Sequence, residues 1–167
     1  RDLVQALGGA RYWPLVGKVE EIGQGEFWPS ARIEAKTESE MDYVAGASMF
    51  VSAEFLDAVG LLSEDYFLYY EELDWAQRGR RRGYRLGYAS QSIVYHKEGA
   101  VLGSGKSTKR SALAEYYGLR NRIVVTRKFF PLALPTVYLF CWMQVAKRVL
   151  HGQFARARMM TAVLTGL

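Results

Sequence analysis

The stretch LLSEDYFLYYEELDWAQRGRRRGYRLGYASQSIVYH, residues 61–96, decides how the chain is read. An apolar aromatic run, 66–70, leads directly into three carboxylates, Glu71, Glu72 and Asp74. Trp75, Arg78 and Arg81 continue at helical spacing, so acids open this helix and arginines close it. That arrangement complements the helix dipole, by about 0.3 to 1 kcal/mol per exposed charge. Gly83 is expected to end the helix, and 84–89 and 92–96 to form two strands. Working upstream, MDYVAGASMFV, residues 41–51, reads as a buried strand in which Gly46 marks a close backbone approach. Ser52 then caps a short helix over 53–59 that stops at Gly60. Residues 1–40, rich in Gly and broken by Pro14 and Pro29, read as turns and short extended pieces at 15–16 and 19–22. The order strand, helix, acidic helix, strand, strand predicts an α/β or α+β layered fold.

The whole chain has 167 residues, about one domain's worth, and is 50% apolar and 23% charged, which excludes a disordered chain. Cys141 is the single thiol, so neither a disulfide framework nor a cysteine-based zinc site can form. The first residue is Arg1 and no charged-then-apolar leader precedes the fold, so a fragment of a longer protein is expected. The net charge of +5 hides an asymmetry: residues 1–105 hold 11 Lys/Arg against 16 Asp/Glu, and 106–167 hold 11 against 1. An acidic-leaning part, 1–105, followed by a basic tail, 106–167, points to two tasks, with anions as the tail's natural partners.

Each candidate site has a plain reading beside its chemical one. Three carboxylates within four residues repel one another, and partial burial would raise at least one pKa toward the range of a general base. They can equally be helix-opening acids in water. His96, at the end of its segment, can be a metal ligand, an acid/base group or a polar residue at a loop start. Residues 103–108, GSGKST, resemble the end of a phosphate-binding loop, but Ala100 stands where the first glycine belongs. No Asp follows Lys106, so the magnesium-holding aspartate of a nucleotide hydrolase is missing; Lys106 can still touch a phosphate. The uncharged run 129–146 contains Pro131 and Pro135 and falls slightly short of the length that crosses a bilayer, which leaves a spanning helix as one reading. It reads as a helix or hairpin in the headgroup region beside Lys147, Arg148, Arg156 and Arg158, or as a core-packing helix pair.

The chain resembles the second half of a GT-A-fold glycosyltransferase of family two, in the branch of bacterial rhamnosyltransferase-like enzymes. The resembling pieces are IGQGE (22–26), DYVAGA (42–47), FLYYEELDWAQR (67–78), GYR (83–85), IVYH (93–96) and YYGLRNR (116–122), in that order. The resemblance implies an incomplete GT-A (Rossmann-like) domain over 1–105, a mixed sheet with flanking helices, followed by a basic amphipathic helical tail. It implies inverting transfer of a sugar from a nucleoside diphosphate sugar to a hydroxyl of a glycan or lipid-linked acceptor, in cell-surface polysaccharide synthesis. Glu72 would be the general base, with Glu71 beside it and Asp74 its rival; Gly46 and Ala47 would form a corner of the cleft. His96 would help hold a divalent metal, Mg²⁺ or Mn²⁺. An anionic membrane surface is an expected partner, at the cytoplasmic face of the bacterial inner membrane, and nucleic acid is not. The family's Asp-x-Asp motif does not occur in the chain, so the donor-binding half is expected to be missing and the isolated chain nearly inactive. The competing expectation is a non-enzymatic peripheral membrane or nucleic-acid-binding adaptor whose acids are structural.

Overall fold

A computed structural model describes residues 2–28, 34–96 and 111–166. It is an α/β structure with two compact units. The first takes in the described residues of 1–13, 18–64 and 71–96; the second takes in Pro14–Gly17, Asp65–Tyr70 and the described residues from 111 onward. Lys106 and the rest of the GSGKST segment lie outside the described residues.

The first unit is built on a three-stranded sheet of order β2-β1-β3, with β1 at Gly9–Trp13, β2 at Lys18–Glu21 and β3 at Tyr43–Val44. Both pairings are antiparallel, with Ala10 opposite Glu21 on one side and Tyr43 on the other. The mixed sheet of the sequence expectation is therefore replaced, among the described residues, by an antiparallel one. Gly9 is small for a reason of space: a Cβ there would stand 2.1 Å from the Tyr43 carbonyl oxygen. Leu7, Ile22 and Met41 close the core beneath the sheet, with Leu86 and Tyr88 packed against them.

Helix α1 spans Glu34–Glu40, α2 spans Ala53–Val59 and α3 spans Glu71–Arg80. Helix α2 begins and ends where local chemistry dictates. Ser52 Oγ accepts from the Phe55 amide at 3.1 Å, and Gly60, at φ +81°, closes the last turn through its N–H to Leu56 O. Helix α3 packs on α2 through Phe55, whose ring meets Trp75 and Tyr84 edge-on at 5.0 Å each. Gly79 leaves room for that ring, since a Cβ would lie 2.6 Å from Phe55 Cε2. Trp75 Nε1 donates to Gly60 O at 2.7 Å, tying α3 to the end of α2.

Two sequence expectations are corrected here. The buried strand over 41–51 shrinks to Tyr43–Val44; Gly46, Ala47 and Ser48 are exposed and Phe50 is 96% exposed. Small residues offer little apolar area to bury, and Ser48 N instead donates to Ala45 O in a turn. The strands expected at 84–89 and 92–96 are not paired with any described strand. Tyr84, Leu86 and Tyr88 do alternate half-buried with exposed neighbours, but the Tyr88 amide donates to Glu38 Oε1 at 2.8 Å rather than to a ladder.

The second unit is helical: α4 at Ala112–Phe129, a 3-10 turn at Pro131–Ala133, α5 at Leu134–Leu150 and α6 at Phe154–Gly166. Ser111 caps α4 through the Ala114 amide at 3.1 Å. Leu119, Ile123, Val137, Cys141, Val145 and Met160 form the core. The uncharged run 129–146 is thus split: Pro131 lacks the N–H a continuing helix needs, and α4 stops at Phe129. Among the described residues no helix is long and apolar enough to cross a membrane. Glu115 joins α4 to α5 and α6 by accepting from Arg148 at 2.6 Å and Arg156 at 2.9 Å.

Within this unit Tyr69 and Tyr70 hold φ of +67° and +76°, a conformation that bulky side chains avoid and that costs roughly 1–3 kcal/mol per residue. Hydrogen bonds from α4 hold the segment in place. Buried Asn121 donates from Nδ2 to the carbonyls of Leu68 at 2.7 Å and Tyr69 at 3.1 Å, and Arg120 donates to Asp65 O at 2.8 Å. Arg120 also donates to Asn121 Oδ1 at 2.7 Å, fixing the amide's orientation.

Asp74 is fully buried, and Arg78 Nε donates to its Oδ1 at 2.7 Å. The same guanidinium reaches the carbonyls of Val59 and Leu61 at 2.7 Å each. Removing one partner of a buried pair costs about 3–5 kcal/mol because the remaining charge keeps its desolvation penalty. Arg78→Ala is therefore expected to lower unfolding free energy by about 3 kcal/mol in denaturant titration. Arg78→Lys recovers only part, because an ammonium cannot span carboxylate and two carbonyls in one plane.

Candidate functional site

Glu71 and Glu72 are the first two residues of α3, where the helix N-terminus favours negative charge. Glu72 is half-buried against the exposed turn that follows β3. A Cβ at Gly46 would fall 2.1 Å from Glu72 Oε1 and 3.1 Å from its Cδ. Gly46 has an ordinary φ, so a side chain here would meet no backbone strain but would have to displace the flexible end of Glu72. The carboxylate rests on bare backbone at this corner.

Burial has a large effect on this pair. Loss of solvent, then the charge of Glu71, push the Glu72 carboxyl up to about 7, with Glu21 adding to the rise and the Glu72 backbone amide opposing it. Burial also raises Glu71, whose Oε2 is shut from solvent without a hydrogen-bond partner among the described residues. A carboxylate that titrates near neutrality is basic enough to take a proton from a hydroxyl in a transition state, and it is about half ionised at pH 7 and about nine-tenths ionised at pH 8.

The other sequence-predicted residues take different places. Asp74, though on the same helix, is sealed in the core with Arg78 and faces no solvent. His96 is exposed, and its Nδ1 lies 2.9 Å from Gln5 Oε1. Among the described residues no three His, Cys, Asp or Glu side chains are grouped to hold a metal ion. A cation at His96 would therefore need ligands from beyond the described residues. Ala47 is exposed next to Gly46. Asp42, in the sequence only part of the DYVAGA motif, accepts from the Tyr12 amide at 2.7 Å and from Arg80 at 3.1 Å, and Arg80 also donates to Met41 O. This ties the residues just before β3 to the end of α3. Neither the Asp42–Arg80 tie nor the field of Glu21 was visible as a site feature, because each joins residues far apart in sequence.

Over 97 residues the chain is 24% identical to the low-salt glycan biosynthesis hexosyltransferase Agl10 of Haloferax volcanii. The chain is similar to a glycosyltransferase. The match takes in 58% of the chain and 30% of the relative, so the chain spans about a third of the length of the curated protein it matches. No family model and no solved structure matches it.

The raised pKa carries a stability consequence whose sign is fixed. Between the ordinary carboxyl value of 4.5 and about 7, the folded protein keeps a proton on Glu72 that the unfolded chain releases, so stability falls as pH rises through this window. Glu72→Gln, of the same shape and always neutral, is expected to be more stable than the wild type above pH 7. The gain is on the order of 3 kcal/mol at most and vanishes below about pH 4.5. Thermal melting of both proteins from pH 4 to 8 measures the difference; a constant offset would place the perturbed carboxyl elsewhere.

Proposed function

We propose that this chain is the acceptor-side part of an inverting glycosyltransferase, with Glu72 as the general base. The observation that carries the reading is the Glu72 carboxylate, half-buried on the bare backbone of Gly46 with its pKa pushed up to about 7. The similarity to a hexosyltransferase supports the same chemistry. The finer assignment, a GT-A fold of family two and rhamnosyltransferase-like, rests on the ordered motifs from IGQGE to YYGLRNR.

In this reading the acceptor hydroxyl approaches over Gly46 and Ala47. Its oxygen forms the new bond to the anomeric carbon as the bond from that carbon to the diphosphate oxygen breaks, and the hydroxyl proton passes to Glu72. Inversion follows because attack and departure occur on opposite faces. Glu71 keeps Glu72 basic through its negative charge, and Asp74 acts through structure by holding Arg78 and the start of α3. The donor is a nucleoside diphosphate sugar and the acceptor a glycan or lipid-linked hydroxyl, used at the cytoplasmic face of a bacterial membrane. A divalent ion, with His96 among its ligands, is a further part of this proposal; no step above is routed through it.

Glu72→Gln in the full-length protein is expected to reduce kcat by on the order of 10²-fold or more while leaving the donor KM nearly unchanged. In the wild type, log kcat/KM should rise with unit slope up to a pH near 7 and level above it. Sugar transfer assayed by release of the nucleoside diphosphate reads both. Unchanged turnover in the variant would reassign the carboxylates to a structural role.

A further inference from the structure

Helix α5 is apolar on two opposite faces. Val137, Cys141 and Val145 are buried in the helical core, as an amphipathic helix requires. On the other side Leu139 is 63% exposed, Trp142 41%, Met143 61% and Leu150 85%, at the i, i+3, i+4 spacing of a single stripe. Leu132, in the 3-10 turn that precedes the helix, is 96% exposed and extends the apolar surface. The helix is about 25 Å long at 1.5 Å per residue, and such a stripe in water is an interaction surface rather than scattered exposure.

Charge identifies what covers it. No Asp or Glu occurs from residue 116 to the end of the chain, which holds eight Lys/Arg. Glu115, just before, is engaged by Arg148 and Arg156. Lys147 lies exposed within the stripe itself, and Arg127 and Lys128 are exposed at the end of α4, a few residues before Leu132. A second copy docking through the same face would set Lys147 against basic surface with no acid to offset it. A bilayer with anionic headgroups supplies both an acyl boundary for the stripe and negative charge for its rim.

We infer that the outward face of α5, with the 3-10 turn before it, is the surface by which this chain lies in the headgroup region of an anionic membrane, parallel to its plane. Trp142 and Met143 enter the acyl boundary and Lys147 remains at headgroup level. This names the surface behind the membrane location proposed above, but it stands on the second unit alone and does not require sugar transfer.

The test is co-sedimentation of the chain with phosphatidylglycerol/phosphatidylcholine vesicles and with phosphatidylcholine vesicles alone. Binding is expected to the mixed vesicles, with Trp142 fluorescence quenched by brominated acyl chains and that quenching lost in Trp142→Phe. The double variant Leu139→Glu/Met143→Glu, at solvent-exposed positions, should keep its circular dichroism and melting temperature and lose at least tenfold in partitioning. Lys147→Gln should lose about fivefold, one basic charge's worth. Absence of binding to anionic vesicles overturns the inference. So does binding that 0.5 M salt abolishes with Trp142 never quenched, since this is adsorption of charge alone. A solution dimer that the double variant dissociates overturns it in favour of a second copy. None of these results depends on turnover, so failure here and failure of Glu72 as a base are separable.

Discussion

Two neighbouring carboxylates at the start of α3 are partly shut from water, one against the bare backbone of Gly46 and the other with an oxygen that has no hydrogen-bond partner among the described residues. That arrangement is unfavourable by itself, since a carboxylate removed from water loses solvation that its neighbour's negative charge can only worsen. It persists because the first turn of α3 is fixed by interactions that do not involve the pair. Arg78 binds Asp74 and the carbonyls of Val59, the last residue of α2, and Leu61 just past it, Trp75 binds Gly60, and Arg80 binds Asp42 and the Met41 carbonyl next to β3. Asp74 is paired with Arg78 inside the fold, while Glu72, at the start of the same helix, is left perturbed.

The strained tyrosines that precede α3 fit the same pattern within the second unit. Two consecutive aromatic residues at positive φ are tolerated where the surroundings over-determine the backbone. Asn121 and Arg120, both in the YYGLRNR segment, provide that constraint through carbonyls of Asp65, Leu68 and Tyr69. A motif that reads in the sequence as part of a basic helix therefore contributes side chains whose task is to hold a loop.

What the sequence makes legible is whatever local chemistry decides. Ser52 and Gly60 bound α2 because a cap and a left-handed residue act within a few positions, and acids ahead of Trp75 and Arg78 mark α3 for the same reason. The α/β class and the candidate acids were legible too. The small-residue run after Tyr43 reads in the sequence as a buried strand because apolar composition does not reveal how little area Gly46, Ala47 and Ser48 can bury. Residues 84–88 carry a strand's alternation, but a strand exists only where a partner edge meets it, and that partner is not a local property. The contact between Gly46 and Glu72 and the sealing of Asp74 also belong to tertiary structure. Their residues could be named from the sequence, but which acid stays accessible could not.

The general-base role proposed for Glu72 draws together the likeness to a hexosyltransferase, the raised Glu72 carboxyl and the glycine corner. Titration of the Glu72 carboxyl carbon by NMR in the wild type and in Gly46→Ala tests that convergence most directly. The account predicts a midpoint near 7 in the wild type, moving toward 4.5 in the variant as the added methyl group pushes the carboxylate into water. A wild-type midpoint near 4.5, unmoved by the substitution, would contradict it.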